Sequence, residues 1–312
     1  MKFLSSLLLF FSIAISQNLD TTSIDTLESP DEYRIKPVRL AVIGGSVATG
    51  YTAIYFALLK DGWWNKVEPF RFEPLGSDMY YASNLDKFGH FYTGTIIGEL
   101  LAMSYDWAGL TPFASTLWAG ITVGFTQILI EFKDGFSPYG YSVWDAVAGT
   151  LGGFYAMGKR FIPAMQYVDY KFTYWPNSSG YWDEHRKQGK TGIWFDDYYG
   201  GNQTHWLSFK VAKMLPSGAG EYYPEWLAFA FGWGLYDVYG GPGWDSKWDK
   251  IRYEYYISID YDLNAIFHPQ KTWSKNLITI LNHIKFPAPA VRLHPEAKFF
   301  PLHPWYGFGV NF

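Results

Sequence analysis

Two pairs of ionisable residues stand at helical spacing in the middle of the chain. Asp86 and His90 are four residues apart, and Glu131 and Asp134 are three apart, so the members of each pair share one helix face. Asp145 follows a glycine-containing turn and falls in the first turn of another predicted helix. One histidine with several carboxylates suits a hard or borderline divalent ion, and the same groups could activate water as base and orienting acid.

The same residues also have a purely structural interpretation. Asp86 and Asp145 could serve only to complement helix N-termini, while His90 bonds a carboxylate in a buried polar network. Lys87 and Lys133 could neutralise the acids. Both interpretations remain open from the sequence, and the candidate metal ligands and candidate catalytic groups are the same five residues: Asp86, His90, Glu131, Asp134 and Asp145.

Four predicted helices position these residues. The first spans the uncharged stretch 40–59, which is long enough to cross a bilayer but contains small residues that favour close helix packing. The others run over 86–105, 112–131 and 142–158, with Asn84 and Ser142 as predicted N-caps and Pro112 in a first turn. Short connections predict antiparallel packing, which places the starts of the second and fourth helices beside the end of the third. Glu99 and Gln127 interrupt apolar stretches and are expected to face a groove or a neighbour.

The second half of the chain has a different character. Residues 161–312 are rich in Tyr and Trp, with a possible helix over 205–215, an undecided segment over 226–239 and a helix over 274–284. Strict alternation over 252–266 predicts a strand, and a further alternating segment closes the chain. The predicted fold is therefore mainly α: a four-helix bundle with an irregular, aromatic-rich C-terminal region that carries a small antiparallel β-sheet.

Aromatic residues and histidines in this half suggest weaker candidate sites. His185 and His205 lie among acidic residues and could bind a metal, although a solvated loop is the more ordinary interpretation. The Trp and Tyr side chains over 175–206 could stack on sugars or simply cover the bundle.

The N-terminus indicates export. Residues 1–16 have a positive start, an apolar run and a small-residue cleavage pattern, which predicts a signal peptide. The predicted organisation is a signal peptide (1–16), a flexible leader (17–36), a helical bundle (37–160) and an aromatic-rich α+β region (161–312). The expected location is the periplasm, in association with the inner or outer membrane.

Composition excludes several function classes. The 312 residues carry a net charge of −4 without a basic stripe, so nucleic acid is not an expected partner. The absence of cysteine removes disulfides, thiolate metal sites and cysteine nucleophiles. Aromatic residues make up 21%, which suits a membrane interface, a carbohydrate surface or a thick aromatic core.

The ordered motifs of the helical region resemble a known family. They are Asp86-Lys87-x-x-His90-Phe91, the segment Glu131–Asp134, Gly140-x-Ser142 and Trp144-Asp145-x-x-Ala148-Gly149. Together they resemble the YfiM-like family of predicted periplasmic proteins over about residues 86–158, and segments 256–260 and 284–289 are similar to the long members from Bacteroidetes-type bacteria. More distantly, the motifs resemble VanZ-like membrane proteins, although the chain lacks the arginine that precedes the last aspartate there. Neither resemblance implies an established reaction or assigns a catalytic residue.

Three functions are consistent with these observations. The first is a non-enzymatic envelope protein at a membrane, whose polar cluster holds the bundle together or binds a ligand. The second is a metal-dependent hydrolase or transferase that acts on an envelope lipid or glycan, with the five candidate residues around one divalent ion. The third is a glycan-binding module in the Trp-rich half. A membrane or envelope component is the expected partner, and the sequence names no protein partner.

Overall fold

The computed structural model describes residues 33–54, 64, 66–79, 81–175, 203–216, 222–236, 252–304 and 310–311. The predicted signal peptide, most of the predicted leader and His185 lie outside these residues. Within them, helices dominate the first half and an antiparallel sheet the second, so the prediction of a mainly helical chain with an antiparallel sheet is confirmed.

The described residues of the helical half form six α-helices. They are α1 (Pro37–Ile54), α2 (Leu75–Met79), α3 (Leu85–Trp107), α4 (Pro112–Asp134), α5 (Val143–Gly153) and α6 (Tyr155–Phe161).

Helix starts follow local capping chemistry at two of the three predicted places. Thr111 accepts a hydrogen bond from the Ala114 amide and Pro112 occupies the first position of α4, as expected. Ser142 caps α5 by accepting from the Asp145 amide. The prediction for Asn84 is wrong, because Asn84 adopts a left-handed conformation with φ 69° and its side chain makes no cap.

Glycine contacts bring α3 and α5 close together. A Cβ on Gly98 would lie 2.6 Å from the carbonyl oxygen of Gly153, and one on Gly94 would overlap the carbonyl oxygen of Gly149. Such small-residue contacts allow two helix backbones to approach further than larger side chains permit. The predicted fourth helix is interrupted at Phe154, which separates α5 from α6.

Helix α1 lies on the flank of this group. Its Ile43 joins the buried cluster that contains Leu101, Ala119 and Val123. Its glycines Gly44, Gly45 and Gly50 have no described neighbour within 4 Å of an added Cβ. The expectation that these small residues admit a close helix is therefore not met by the described part of the chain.

The sheet is larger than the small one predicted. It contains β1 (Val168–Tyr174), β2 (Gln203–Phe209), β3 (Leu227–Tyr236), β4 (Arg252–Tyr261), β5 (Ala288–His294), β6 (Lys298–His303) and β7 (Val310–Asn311). All neighbours are antiparallel and follow chain order. In the described connections between strands there are three short helices: α7 (Val211–Met214), α8 (Leu263–Phe267) and α9 (Thr272–Leu281). The helix expected over 205–215 is wrong for its first part, which is strand β2, because β2 pairs on both sides with β1 and β3.

The two halves meet along α3. The Tyr170 hydroxyl donates to the carbonyl of Phe88 (3.3 Å), and the Tyr92 hydroxyl donates to the carbonyl of His283 (3.1 Å). The rings of Phe91 and Tyr170 are 5.0 Å apart in an edge-to-face arrangement. Helix α3 therefore contributes side chains both to the interior of the helical half and to its boundary with the sheet.

Candidate functional site

A lysine occupies the centre of the predicted acidic cluster. Lys87 Nζ lies 2.9 Å from Asp78 Oδ1, 3.1 Å from Asp86 Oδ2 and 2.9 Å from Asp145 Oδ1. Lys87, Asp78 and Asp145 are buried. Burial opposes the charge of Lys87, but Asp86 and Asp145 outweigh that effect and raise the pKa of Lys87 above its usual value. The ammonium group therefore neutralises acids from three separate helices.

Ser142, at the start of α5, forms hydrogen bonds with three acidic residues. The Ser142 hydroxyl donates to Asp78 (2.8 Å to Oδ1) and at the same time accepts from the Asp145 amide (3.0 Å). The Ser142 amide donates to Glu131 Oε2 at 3.1 Å. Ser142 therefore joins the cap of α5 to the acids of α2 and α4.

His90 lies at the less buried edge of the cluster. Its Nε2 is 3.8 Å from Asp86 Oδ1, and its Nδ1 is 3.3 Å from Gln127 Oε1. Burial lowers the pKa of His90, but the charges of Asp86, Asp145 and Glu131 outweigh it and raise the pKa to about 9. The surrounding carboxylates therefore favour the protonated imidazole.

Asp134 is turned toward a separate aromatic partner. Its Oδ1 accepts a hydrogen bond from the Trp64 indole N–H at 2.5 Å. The ammonium group of Lys133 lies over the same indole ring, 5.9 Å from its centroid. Asp134 thus lies at the same end of α4 as Glu131, outside the hydrogen-bonded group around Lys87.

Three of the five predicted residues meet the geometry of a metal site. Ligand atoms of Asp86, His90 and Asp145 lie within 4.8 Å of one another. Metal binding requires a neutral imidazole and free carboxylate oxygens. The charges of Asp86 and Asp145 favour a protonated His90, and Lys87 contacts both carboxylates, so an ion would have to displace the lysine from Asp86 and Asp145. The ligand atoms of Asp86, His90 and Asp145 suit a divalent ion. The contacts of Lys87 with both aspartates favour the ammonium group as the cation at this position.

Sequence reasoning missed Asp78 as a member of the cluster. Asp78 lies in the short helix α2, which is not among the four helices predicted from the sequence. Its distance of nine residues from Lys87 matches no helical spacing, so periodicity gave no signal. Of the two lysines expected to neutralise the acids in the structural interpretation, Lys87 contacts three carboxylates, whereas Lys133 lies over the Trp64 ring.

The weaker candidates of the second half do not form an open site among the described residues. His205 is fully buried, its Nδ1 is 2.7 Å from the Tyr170 hydroxyl, and burial lowers its pKa to about 3. Trp206 is fully buried and donates its indole N–H to Thr173 at 3.0 Å, so it offers no open face to a sugar. The acids near His185 lie outside the described residues.

Comparison of the chain with protein-family models, with curated proteins and with solved structures gave no match.

Proposed function

We propose that this chain is an exported cell-envelope protein that rests against the apolar layer of a membrane, and that its acidic cluster holds the helices together. The membrane part of the proposal is carried by the exposed surface of α4. The structural part is carried by Lys87, which occupies the position between carboxylates that a bound cation would take.

Helix α4 exposes only apolar side chains along one face. All the exposed side chains of Pro112–Asp134 are apolar. They are Phe113, Trp118, Ile121, Phe125, Ile128 and Phe132. Among the described helices, α4 is the one long and apolar enough to cross a membrane. Only 39% of the residues in its most apolar 18-residue stretch are buried. The core helix of a water-soluble protein would be mostly buried, whereas a continuous exposed stripe of this kind supports contact with lipid.

The sheet repeats this arrangement. Strand β4 exposes Tyr253, Tyr255 and Ile257, whereas its buried face carries Glu254 and Asp260 beside the buried Tyr256. An antiparallel sheet in water normally buries its apolar face and exposes its polar face. The reversed pattern supports an apolar environment around this half as well.

Charge balance supports a structural role for the cluster. Lys87 contacts three carboxylates, and the charges of Asp86, Asp145 and Glu131 raise the pKa of His90. Buried ionic groups that are fully paired fix one arrangement of the surrounding elements, because any rearrangement leaves a buried charge without a partner. In this way the cluster would hold the register between α2, α3 and α5.

We expect the mature protein to stay in the membrane pellet after washing with alkaline carbonate. The double substitution Phe125→Lys and Ile128→Lys should release a large fraction into the supernatant, since a lysine at an apolar lipid contact is strongly unfavourable. Tyr222→Lys is the matched control, because Tyr222 is 91% exposed and lies outside the stripe. Complete release of the wild-type protein by carbonate would contradict the proposal.

A second function is favoured by one observation, namely the grouping of Asp86, His90 and Asp145. In that case the protein would be a metal-dependent hydrolase or transferase acting on an envelope lipid or glycan, and Lys87 would have to leave two of its carboxylates. The metal content of the purified protein distinguishes the two functions.

A further inference from the structure

A second polar region encloses a cavity where the helical half meets the sheet half. The cavity has a volume of about 260 Å³ and lies between α3 and α6 on one side and the segment from α8 to residue 283 on the other. Met103 and Ala156 form its apolar part. Its polar part includes Glu99, Lys210, Asn264, Asn276, Asn282 and His283. None of these residues belongs to the cluster around Lys87.

Glu99 and His283 face one another across this cavity without a direct hydrogen bond. His283 Nδ1 is 2.9 Å from the carbonyl oxygen of Tyr170, so this nitrogen carries the hydrogen and donates it. The other nitrogen, Nε2, is then an acceptor in the neutral ring, and it lies 4.0 Å from Glu99 Oε1. That distance is too long for a direct hydrogen bond. A single hydroxyl group between them could donate its hydrogen to His283 Nε2 and accept a hydrogen bond from the protonated carboxyl of Glu99.

Burial favours the neutral forms of both groups. Burial raises the pKa of Glu99 to about 7, with Arg160 and Lys159 acting in the opposite direction. Burial lowers the pKa of His283. A neutral acid opposite a neutral imidazole suits an uncharged polar ligand better than a charged one.

The cations around the cavity are already paired. Lys159 contacts Asp169 at 2.8 Å, Lys210 contacts the other oxygen of Asp169 at 2.9 Å, and Arg160 binds both oxygens of Asp106. The described residues therefore leave no unpaired cation in the cavity wall to hold an anion.

Asparagine amides supply the remaining polar surface. Asn282 is buried, and its Oδ1 accepts a hydrogen bond from the Leu263 amide at 3.1 Å, which fixes the orientation of the side chain. Its amide nitrogen, together with the side chains of Asn264 and Asn276, makes no hydrogen bond to another described residue. Amide groups both donate and accept, and so they match ligand hydroxyl groups.

We propose that this cavity binds a neutral, polyhydroxylated ligand the size of a single sugar ring, with Glu99 and His283 sharing one of its hydroxyls. The volume is just below the range of about 300–1,000 Å³ that is usual for pockets of drug-sized ligands, which limits the ligand to a small molecule or one terminal residue of a glycan. The site is independent of membrane contact and of the Lys87 cluster.

The test is ligand-observed NMR on the full mature protein in detergent, with glucose, galactose and N-acetylglucosamine as probes. We expect saturation transfer to at least one of these sugars. Glu99→Leu, which removes both hydrogen-bonding roles at similar size, should weaken its binding at least tenfold. Glu296→Leu is the matched control, because Glu296 is exposed and does not line the cavity.

A second variant keeps the proposal testable if Glu99→Leu does not fold. Asn276 is half-buried on α9, so Asn276→Ala should leave the circular dichroism spectrum unchanged and still weaken sugar binding. The proposal is overturned if the wild type binds none of the three sugars, if both cavity variants bind as the wild type does, or if inorganic phosphate displaces the bound sugar competitively.

Discussion

Lys87→Met should lower the free energy of unfolding by about 3–5 kcal/mol, the usual cost of removing one partner of a buried ion pair. The substitution keeps the length of the side chain but removes the charge that contacts Asp78, Asp86 and Asp145. These acids would then be buried beside one another without their common cation. Thermal and denaturant unfolding of the purified protein in detergent would measure the loss.

The loss of stability in Lys87→Met should depend on pH in a characteristic way. Without Lys87, folding favours the protonated carboxyls, so the variant should recover stability relative to the wild type as the pH falls and the acids become neutral. Lys275→Met is the matched control, because Lys275 is exposed on α9, and it should change stability by no more than about 0.5 kcal/mol. Equal stabilities of the Lys87 and Lys275 variants would show that Lys87 does not hold the acids together.

Gly98→Ala should also lower the free energy of unfolding, by about 1–3 kcal/mol, because the added methyl group overpacks the contact between α3 and α5. The added Cβ would lie 2.6 Å from the carbonyl oxygen and 2.9 Å from the Cα of Gly153. These are backbone atoms, which cannot rotate away, so α3 and α5 would have to separate. Lys87 and Asp145 join the same two helices about three turns away along α3, so this substitution tests the packing of α3 on α5 separately from the cluster.

A glycine-to-alanine substitution at an uncrowded position of the same helix provides the control. Gly89 is on α3 as well, and an added Cβ there has nothing within 4 Å. Gly89→Ala should therefore stabilise the helix by up to about 1 kcal/mol, because alanine has the higher helix propensity. Melting curves that show the same sign for both variants would contradict the close packing of α3 on α5.

The convergence of the acids could be predicted from sequence because it depends on helix periodicity. Spacings of three and four residues fix which side chains share a face, and short connections fix which helix ends are adjacent. Asp86, His90 and Asp145 meet for this reason. Asp78 could not be found in this way, since its position depends on how the chain between α1 and α3 folds back onto Ser142.

The extent of the sheet could not be predicted for a different reason. Strand β3 carries glycine, alanine and aromatic residues in a nearly continuous apolar run, so it lacks the alternation that identifies β4. Strand β2 contains His205 and Trp206 and is held by pairing on both sides rather than by its own propensity. Asn84 likewise has a favourable residue type for an N-cap but a backbone conformation that prevents it.

The most direct test of the structural role of the cluster is the metal content of the purified mature protein, measured by elemental analysis for the wild type and His90→Ala, with circular dichroism on both. If Lys87 is the cation of the cluster, neither protein retains a stoichiometric divalent ion, and His90→Ala melts at a lower temperature than the wild type. One equivalent of metal in the wild type, lost in a fully folded His90→Ala, would contradict this account and identify Asp86, His90 and Asp145 as a metal centre.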